Sequence, residues 1–163
     1  MLVAEGKALD MAQAGPILGY DVPISGVSSD PAGDGSEYEA ISGSDVVIVT
    51  AGLPRKPGQS RDDVSAINAP IIGGIGQKIK KYAPDSVVIT VTNPLDAMVY
   101  VMQRETGFPR ERCIGQAGVL DTARFRTFLA MEIGCARTQI QAMVLGGHGD
   151  EMVPLSSLSL IHI

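Results

Sequence analysis

His148, Asp121 and Arg124 are the residues whose types and spacing point most directly to chemistry. His148 is one of two histidines and lies in the glycine-rich turn Gly146–Asp150, directly after the apolar run Ile140–Leu145. An imidazole in a tight turn at a strand end is well placed to exchange protons near neutral pH. Asp121 and Arg124 stand at positions i and i+3, so on a helix they share one face. Together they supply a carboxylate that could orient the imidazole and a cation that could hold a small anionic substrate.

Two more polar segments follow strongly apolar runs. The Gly/Pro loop Ala51–Arg61 carries Arg55 and Arg61, and the dipeptide Asn93-Pro94 follows a second apolar run. Taken singly, such features have ordinary explanations: a solvated loop, a turn or helix cap, a surface ion pair, or a structural histidine. Their joint occurrence, each after an apolar run, indicates a functional site instead.

The elements that must position these residues alternate between strand and helix. Two β-branched runs, Asp45–Thr50 and Ser86–Thr92, predict strands buried on both faces of a parallel sheet, and Val22–Ser28 predicts an outer strand. Helices are predicted over Glu5–Leu18, Val64–Tyr82 (kinked or delayed at Pro70), Leu95–Thr106 and Leu120–Ile133. This order is typical of a doubly wound α/β fold, in which ligands bind outside the carboxyl ends of the strands.

Composition excludes several classes of protein. The chain has 163 residues, of which 45% are hydrophobic and 19% charged, and this balance indicates a globular protein. A net charge of -5 without a basic run argues against a nucleic-acid surface, and the apolar stretches are too short to span a membrane. Glu5, Lys7 and Asp10 interrupt any secretory signal, and Cys113 and Cys135 lack metal-ligand spacing. We expect a cytoplasmic protein with reduced thiols and no metal site.

Four motifs carry a specific resemblance. They are TAGLPRKPGQSR (Thr50–Arg61), NPLDAM (Asn93–Met98), GQAGVLDTARFR (Gly115–Arg126) and GGHGDEMVPL (Gly146–Leu155). A fifth segment, GKALDMAQAGP, matches the helix after the second strand of the same family. In this order, the motifs resemble those of the lactate-dehydrogenase-like malate dehydrogenases, within the lactate/malate dehydrogenase family, over roughly Glu5 to Leu155.

The resemblance also implies elements that the sequence does not contain. A family member opens with a strand, a G-x-G-x-x-G turn, a helix and a second strand ending in an acidic residue. None of these is present, and residues 156–163 are atypical of the family's continuation. We therefore expect a fragment lacking both ends, with an incomplete Rossmann-type doubly wound parallel sheet. Its parts would be a partial dinucleotide-binding domain (1–94) and the first part of an α+β substrate domain (95–163). Its central strands should expose apolar faces and an open edge.

Four site residues receive roles from the resemblance. His148 would be the general acid–base that removes the proton from the C2 hydroxyl of malate. Asp121 would hold the imidazole in the correct tautomer and favour its protonated form. Arg124 would grip the C1 carboxylate through its planar guanidinium. Arg61, on a mobile loop, would polarise the C2 carbonyl oxygen of oxaloacetate and help to exclude water on closure.

The remaining roles concern substrate choice and the cofactor. The resemblance implies that Arg55 pairs with a second carboxylate, which favours a dicarboxylate over lactate. Asn93 would hydrogen-bond the substrate, while the backbone of Val91, Thr92 and Asn93 would lie beside the nicotinamide ring. Asn68 matches an asparagine that contacts the cofactor.

The resemblance thus implies an NAD-dependent oxidoreductase that interconverts (S)-malate and oxaloacetate. NADP is not excluded, because the segment that discriminates between the two cofactors is missing. Two alternatives stay open: a catalytically silent fragment of such an enzyme, and a lactate or other 2-hydroxy-acid dehydrogenase. Besides the small dicarboxylate, the expected partners are further copies of the chain, as a homodimer or homotetramer of the full-length protein.

Overall fold

The computed structural model describes residues 2–29, 35–155 and 160–161. Its helices are α1 (Leu2–Leu18), α2 (Arg61–Tyr82), α3 (Leu95–Thr106) and α4 (Gly118–Ile133). Its strands are β1 (Val46–Val49), β2 (Val87–Thr90), β3 (Cys113–Gly115), β4 (Ile140–Gln141), β5 (Val144–Leu145), β6 (Val153–Pro154) and β7 (Leu160–Ile161). Short 3-10 turns lie at Ser36–Ile41, Arg110–Arg112 and Arg137–Gln139. The predicted α/β class is confirmed.

A three-stranded parallel sheet of order β1-β2-β3 forms the centre of the fold. The β-branched runs predict β1 and β2, and helices α2 and α3 are the crossovers that parallel neighbours require. Strand β3 joins this sheet although it lies beyond residue 94, where the sequence places the domain boundary. The division into 1–94 and 95–163 stays a prediction.

Helices α2 and α3 pack against each other and, through their shared core, against the sheet. Ile72 and Ile79 of α2, Met98 and Met102 of α3, and Val88 of β2 belong to one buried apolar cluster. Gly76 lets the helices approach closely, because a Cβ there would lie 3.1 Å from Cβ of Glu105 and 3.3 Å from Sδ of Met102.

Helix α2 runs through Pro70 without a break and begins earlier than Val64, so the predicted delay is wrong. Pro70 lacks the N–H that would bond to the carbonyl of Ala66. Both residues lie on the exposed face, where water can satisfy that carbonyl. Packing of the opposite face of α2 on α3 then keeps the helix continuous.

Strand β1 has an exposed face and an open edge within the described part of the chain. The exposed fractions are 51% for Val46 and 63% for Ile48, whereas Val49 is buried. Burial on both faces is therefore wrong for β1, and the expected exposure of an apolar face is confirmed for β1 but not for β2, in which no residue is exposed. An element that would cover this face is not among the described residues.

The predicted outer strand at Val22–Ser28 is also wrong, because residues 21–29 have no regular structure. Pro23 cannot donate to a ladder. Gly26 packs instead against α1, where a Cβ would lie 2.1 Å from the carbonyl oxygen of Ala4.

The apolar run Ile140–Leu145 forms two short strands rather than one. Strand β4 pairs antiparallel with β7, and β5 pairs antiparallel with β6. The turn that carries His148 therefore closes the β5–β6 hairpin. Of residues 156–163, which are expected from the sequence to be atypical, 156–159 and 162–163 lie outside the described residues.

None of the helices in the described ranges is long and apolar enough to cross a membrane.

Candidate active site

His148 and Asp121 form a hydrogen-bonded couple. Nδ1 of His148 lies 2.7 Å from Oδ2 of Asp121, and the exposed fractions of the two side chains are 21% and 7%. Because an ionised carboxylate can only accept, Nδ1 carries the hydrogen and donates it, which leaves Nε2 free to take or give a proton. The geometry is that of an imidazole oriented by a buried carboxylate.

Local anchors bring this couple together. Asp121 lies in the first turn of α4, where the helix dipole favours a negative charge. The next residue, Thr122, accepts a hydrogen bond at its Oγ1 from the backbone N–H of Val144 at 3.0 Å, which fastens α4 to β5. Gly146 turns the chain at the end of β5 with φ 93°, and a Cβ there would lie 2.2 Å from the carbonyl oxygen of Glu151. Only glycine fits this turn.

Asp96 is a site residue that the sequence reasoning missed. Its Oδ2 accepts a hydrogen bond from the backbone N–H of His148 at 3.0 Å. The carboxylate comes from the first turn of α3 and holds the backbone of the hairpin turn, whereas Asp121 holds the imidazole. The available signal was its place in the motif NPLDAM, next to a strand end.

A cavity of about 820 Å³ opens at the carboxyl ends of β1 and β2. Among the residues that line it are seven of the nine predicted site residues: Arg55, Arg61, Asn68, Val91, Thr92, Asn93 and His148. Asp121 lines a second cavity of about 250 Å³, and His148 lines both. The site residues that are predicted after three separate apolar runs thus lie around one histidine.

Arg124 is placed differently from the other predicted arginines. Its Nη1 lies 3.4 Å from Oδ1 of Asp121, and 58% of its side chain is exposed. It does not line either cavity, yet it shares the carboxylate of Asp121 with His148. The geometry therefore puts a cation beside the couple, and contact with a substrate carboxylate stays a prediction.

The loop that carries Arg55 folds on itself. Nε of Arg55 donates to the carbonyl oxygen of Gln59 at 2.7 Å, and the side chain of Gln59 accepts from the backbone N–H of Lys56 at 2.8 Å. Within the described part of the chain, the two Nη nitrogens of Arg55 make no hydrogen bond. They are free to form a bidentate pair with a carboxylate.

Asn68 ties the loop after β1 to the loop after β2. Its amide group donates to the carbonyl oxygens of Leu53 at 3.1 Å and Asn93 at 2.8 Å, and its Oδ1 accepts from the N–H of Leu53 at 2.8 Å. The residue is 1% exposed, so its polar side chain is buried and satisfied. Asn68 shapes the wall of the cavity, and a direct contact with a cofactor stays a prediction.

The strand ends also fit the nicotinamide end of a dinucleotide. Gly52 has φ 139°, and a Cβ there would lie 2.6 Å from Cγ2 of Thr92 and 3.1 Å from Oδ1 of Asn68. The backbone of the loop therefore closely approaches the segment after β2, and it lines the cavity next to Val91 and Asn93. A flat ring with an amide group suits a wall of backbone and small side chains at the carboxyl ends of parallel strands.

Comparisons with known proteins agree with this geometry. Malate dehydrogenase of Geobacter sulfurreducens is 56% identical over 151 residues, which are 93% of this chain and 45% of that protein. The solved apo malate dehydrogenase of Picrophilus torridus is 48% identical with a TM-score of 0.88, over 98% of this chain and 49% of that one. A lactate dehydrogenase of Cryptosporidium parvum, solved with lactic acid and nicotinamide adenine dinucleotide, is 40% identical with a TM-score of 0.84, over 98% and 48% of the two chains.

The chain spans about half the length of the relatives that it matches. Residues 3–115 match the lactate/malate dehydrogenase NAD binding domain, and residues 118–163 match the lactate/malate dehydrogenase alpha/beta C-terminal domain. These matches cover nearly the whole chain, in the order that the sequence motifs predict. The chain therefore belongs to the lactate/malate dehydrogenase family.

Proposed function

We propose that the protein interconverts (S)-malate and oxaloacetate, with NAD as the hydride carrier. One observation carries the proposal: the His148–Asp121 couple, joined at 2.7 Å, faces a cavity that two arginines also line. An acid–base group next to cations is what the oxidation of a hydroxy acid needs. Membership of the family supports a nicotinamide cofactor, and the preference for NAD over NADP is part of the proposal.

His148 performs the proton transfer in this proposal. Its Nε2 takes the proton from the C2 hydroxyl of malate, and the carboxylate of Asp121 stabilises the imidazolium that forms. A bound nicotinamide ring would supply the acceptor for the hydride of C2, and the backbone of Val91, Thr92 and Asn93 would hold it beside the cavity. In the opposite direction, imidazolium His148 returns the proton to the carbonyl oxygen of oxaloacetate. Asp96 keeps the turn in place through the backbone N–H of His148.

The arginines supply charge where the substrate is negative. Arg124 binds the C1 carboxylate, Arg61 stabilises charge on the C2 oxygen, and Asn93 adds a hydrogen bond to the substrate. Arg55 binds the second carboxylate through its Nη nitrogens.

Arg55 also separates this proposal from a lactate dehydrogenase, which has the same fold and is 40% identical in the Cryptosporidium example. A methyl group in place of the second carboxylate would leave the guanidinium of Arg55 without its anionic partner. Discrimination then comes partly from rejection of the monocarboxylate.

We also propose that the full-length protein is a homodimer or homotetramer in the cytoplasm. Exposed apolar side chains on α4, such as Phe128 (65%) and Met131 (67%), support self-association. Both cysteines are unpaired, which suits a reducing compartment.

The test is the oxidation of NADH by oxaloacetate, which is monitored as the loss of NADH absorbance. We expect His148→Asn to lower kcat by about 100-fold or more, because general acid–base catalysis contributes about 10²–10⁴-fold. His148→Asn should leave the binding of NADH unchanged. The proposal is wrong if the variant oxidises NADH as fast as the unmodified protein.

A further inference from the structure

The hairpin turn that carries His148 also contacts Arg61. Nη2 of Arg61 lies 3.4 Å from Oδ1 of Asp150. A Cβ on Gly149 would lie 2.6 Å from Nη1 of Arg61 and 3.4 Å from its Cζ, so the guanidinium rests against the bare backbone of Gly149. A cavity of about 200 Å³ between them is lined by Arg61, His148, Gly149 and Asp150, together with Asp96.

The backbone of Arg61 is held independently of this contact. Arg61, which the resemblance places on a mobile loop, is instead the first residue of α2. The capping box around it joins the N–H of Ser60 to Oδ2 of Asp63 at 2.8 Å and the N–H of Asp63 to Oγ of Ser60 at 3.1 Å. A cation at a helix N-terminus is disfavoured by the dipole, and a carboxylate partner offsets that cost. The side chain therefore starts from a fixed point and gains from reaching Asp150.

We propose that Gly149 and Asp150 are positioning residues that seat the guanidinium of Arg61 beside His148. This proposal rests on the proposed function, in which His148 and Arg61 act on the same C2 oxygen of the substrate. One turn would then fix both groups: its histidine transfers the proton, and its next two residues hold the cation that stabilises charge on that oxygen. The turn thereby sets the distance between the two groups before the substrate arrives.

The contact of Arg61 with Gly149 and Asp150, which we call the seat, is weak enough for the guanidinium to leave it. The exposed fractions are 58% for Arg61 and 94% for Asp150, and exposed ion pairs contribute little. A substrate oxygen can therefore draw the guanidinium away from the carboxylate without a large loss. The seat reduces the range of positions that the Arg61 side chain samples, but it does not hold the side chain in one conformation.

The kinetic test separates a positioning effect from a change in substrate binding. We expect Asp150→Asn to lower kcat for oxaloacetate about two- to fivefold, the range that an exposed ion pair supports, with little change in KM. We expect Gly149→Ala to lower kcat by a similar factor, because its Cβ would lie 2.6 Å from Nη1 of Arg61 and the flexible guanidinium would have to shift away from its resting position. Asp150→Glu should recover most of the loss, and the exposed Asp85→Asn is the matched charge control.

A second readout does not depend on turnover. In the ligand-free protein, the Nε–Hε group of Arg61, assigned with Arg61→Lys, should be ordered by NMR relaxation, and Asp150→Asn should make it mobile. Equal mobility in both proteins overturns the seat whatever the activity is. If oxaloacetate is not reduced at all but Arg61 still loses order in Asp150→Asn, the proposed function fails and the seat stands. A raised KM with unchanged kcat in Asp150→Asn also contradicts the proposal.

Discussion

His148 and Asp121 come from positions 27 residues apart, and their side chains meet because neighbouring residues fasten their elements together. Thr122 holds α4 against β5, and Asp96 holds the hairpin turn from α3. Each contact is a single hydrogen bond, so the orientation of the imidazole depends on a few side chains that do not themselves react. The geometry of the site therefore depends on residues that hold the backbone in place as well as on the residues that react.

Asp96 gives the prediction at the residue scale. We expect Asp96→Ala to lower kcat for oxaloacetate about tenfold, because the freed N–H of His148 no longer fixes the turn. Asp96→Asn keeps an acceptor oxygen and should lose less. Steady-state kinetics of both variants check this, with Asp85→Ala as the control. Equal activity of Asp96→Ala and the unmodified protein would show that the turn does not need this bond.

Residue types and spacing single out His148, Asp121 and Arg124, and they draw attention to the loop that carries Arg55 and Arg61, whereas the individual roles come from the family resemblance. They do not predict Asp96 or Asp150, whose partners lie 52 and 89 residues away in the chain. Nor do they predict that Asn68 is buried with its amide satisfied by the protein. Such contacts depend on how elements pack, and one sequence holds no direct record of that packing.

The helices and strands place the site residues at the carboxyl ends of the parallel strands. The predicted helix Leu95–Thr106 coincides with α3, and the β-branched runs predict β1 and β2 to within a few residues. Failures occur where packing overrides local pattern: α2 continues through Pro70, and Val22–Ser28 finds no strand partner. The short antiparallel strands β4 and β5 also divide what a single apolar run predicts to be one strand.

The capping box of α2 gives the prediction at the element scale. Hydrogen bonds from the backbone and side chain of Ser60 hold the pKa of Asp63 below its ordinary value of 3.8. A lowered pKa means that the carboxylate stabilises the fold above pH 3.8, and that this contribution is lost as the pH falls towards the lower folded value. Asp63→Ala should therefore destabilise the protein at neutral pH and converge with the unmodified protein in acid.

Urea unfolding at several pH values measures this difference. Ser60→Ala removes the hydroxyl that caps the N–H of Asp63. This variant should lower the free energy of unfolding by about 1 kcal/mol at neutral pH. Asp85→Ala serves as the control, since its carboxylate lies in an exposed turn. A difference for Asp63→Ala that stays constant down to the acid limit would contradict the assigned role of the carboxylate.

The whole molecule assembles one site from three regions: the loop after β1, the loop after β2, and the β5–β6 hairpin. The same arrangement leaves Val46 and Ile48 exposed on β1, and the chain spans about half the length of its relatives. The described residues bring together a hydrogen-bonded histidine–aspartate couple, cations around it, and a cavity at the strand ends, which we propose as the substrate side of the site. The central claim is that this site selects a dicarboxylate.

The most direct test of this claim is the substrate preference of Arg55→Gln. The quantity to measure is kcat/KM for oxaloacetate divided by kcat/KM for pyruvate, in the unmodified protein and in the variant. Arg110→Gln, an exposed arginine away from the cavity, is the matched control. We predict that Arg55→Gln lowers the ratio about 100-fold, equivalent to about 2.7 kcal/mol, because only oxaloacetate carries the carboxylate that loses its partner. Equal losses on oxaloacetate and pyruvate would contradict the assignment of Arg55 and, with it, the dicarboxylate specificity.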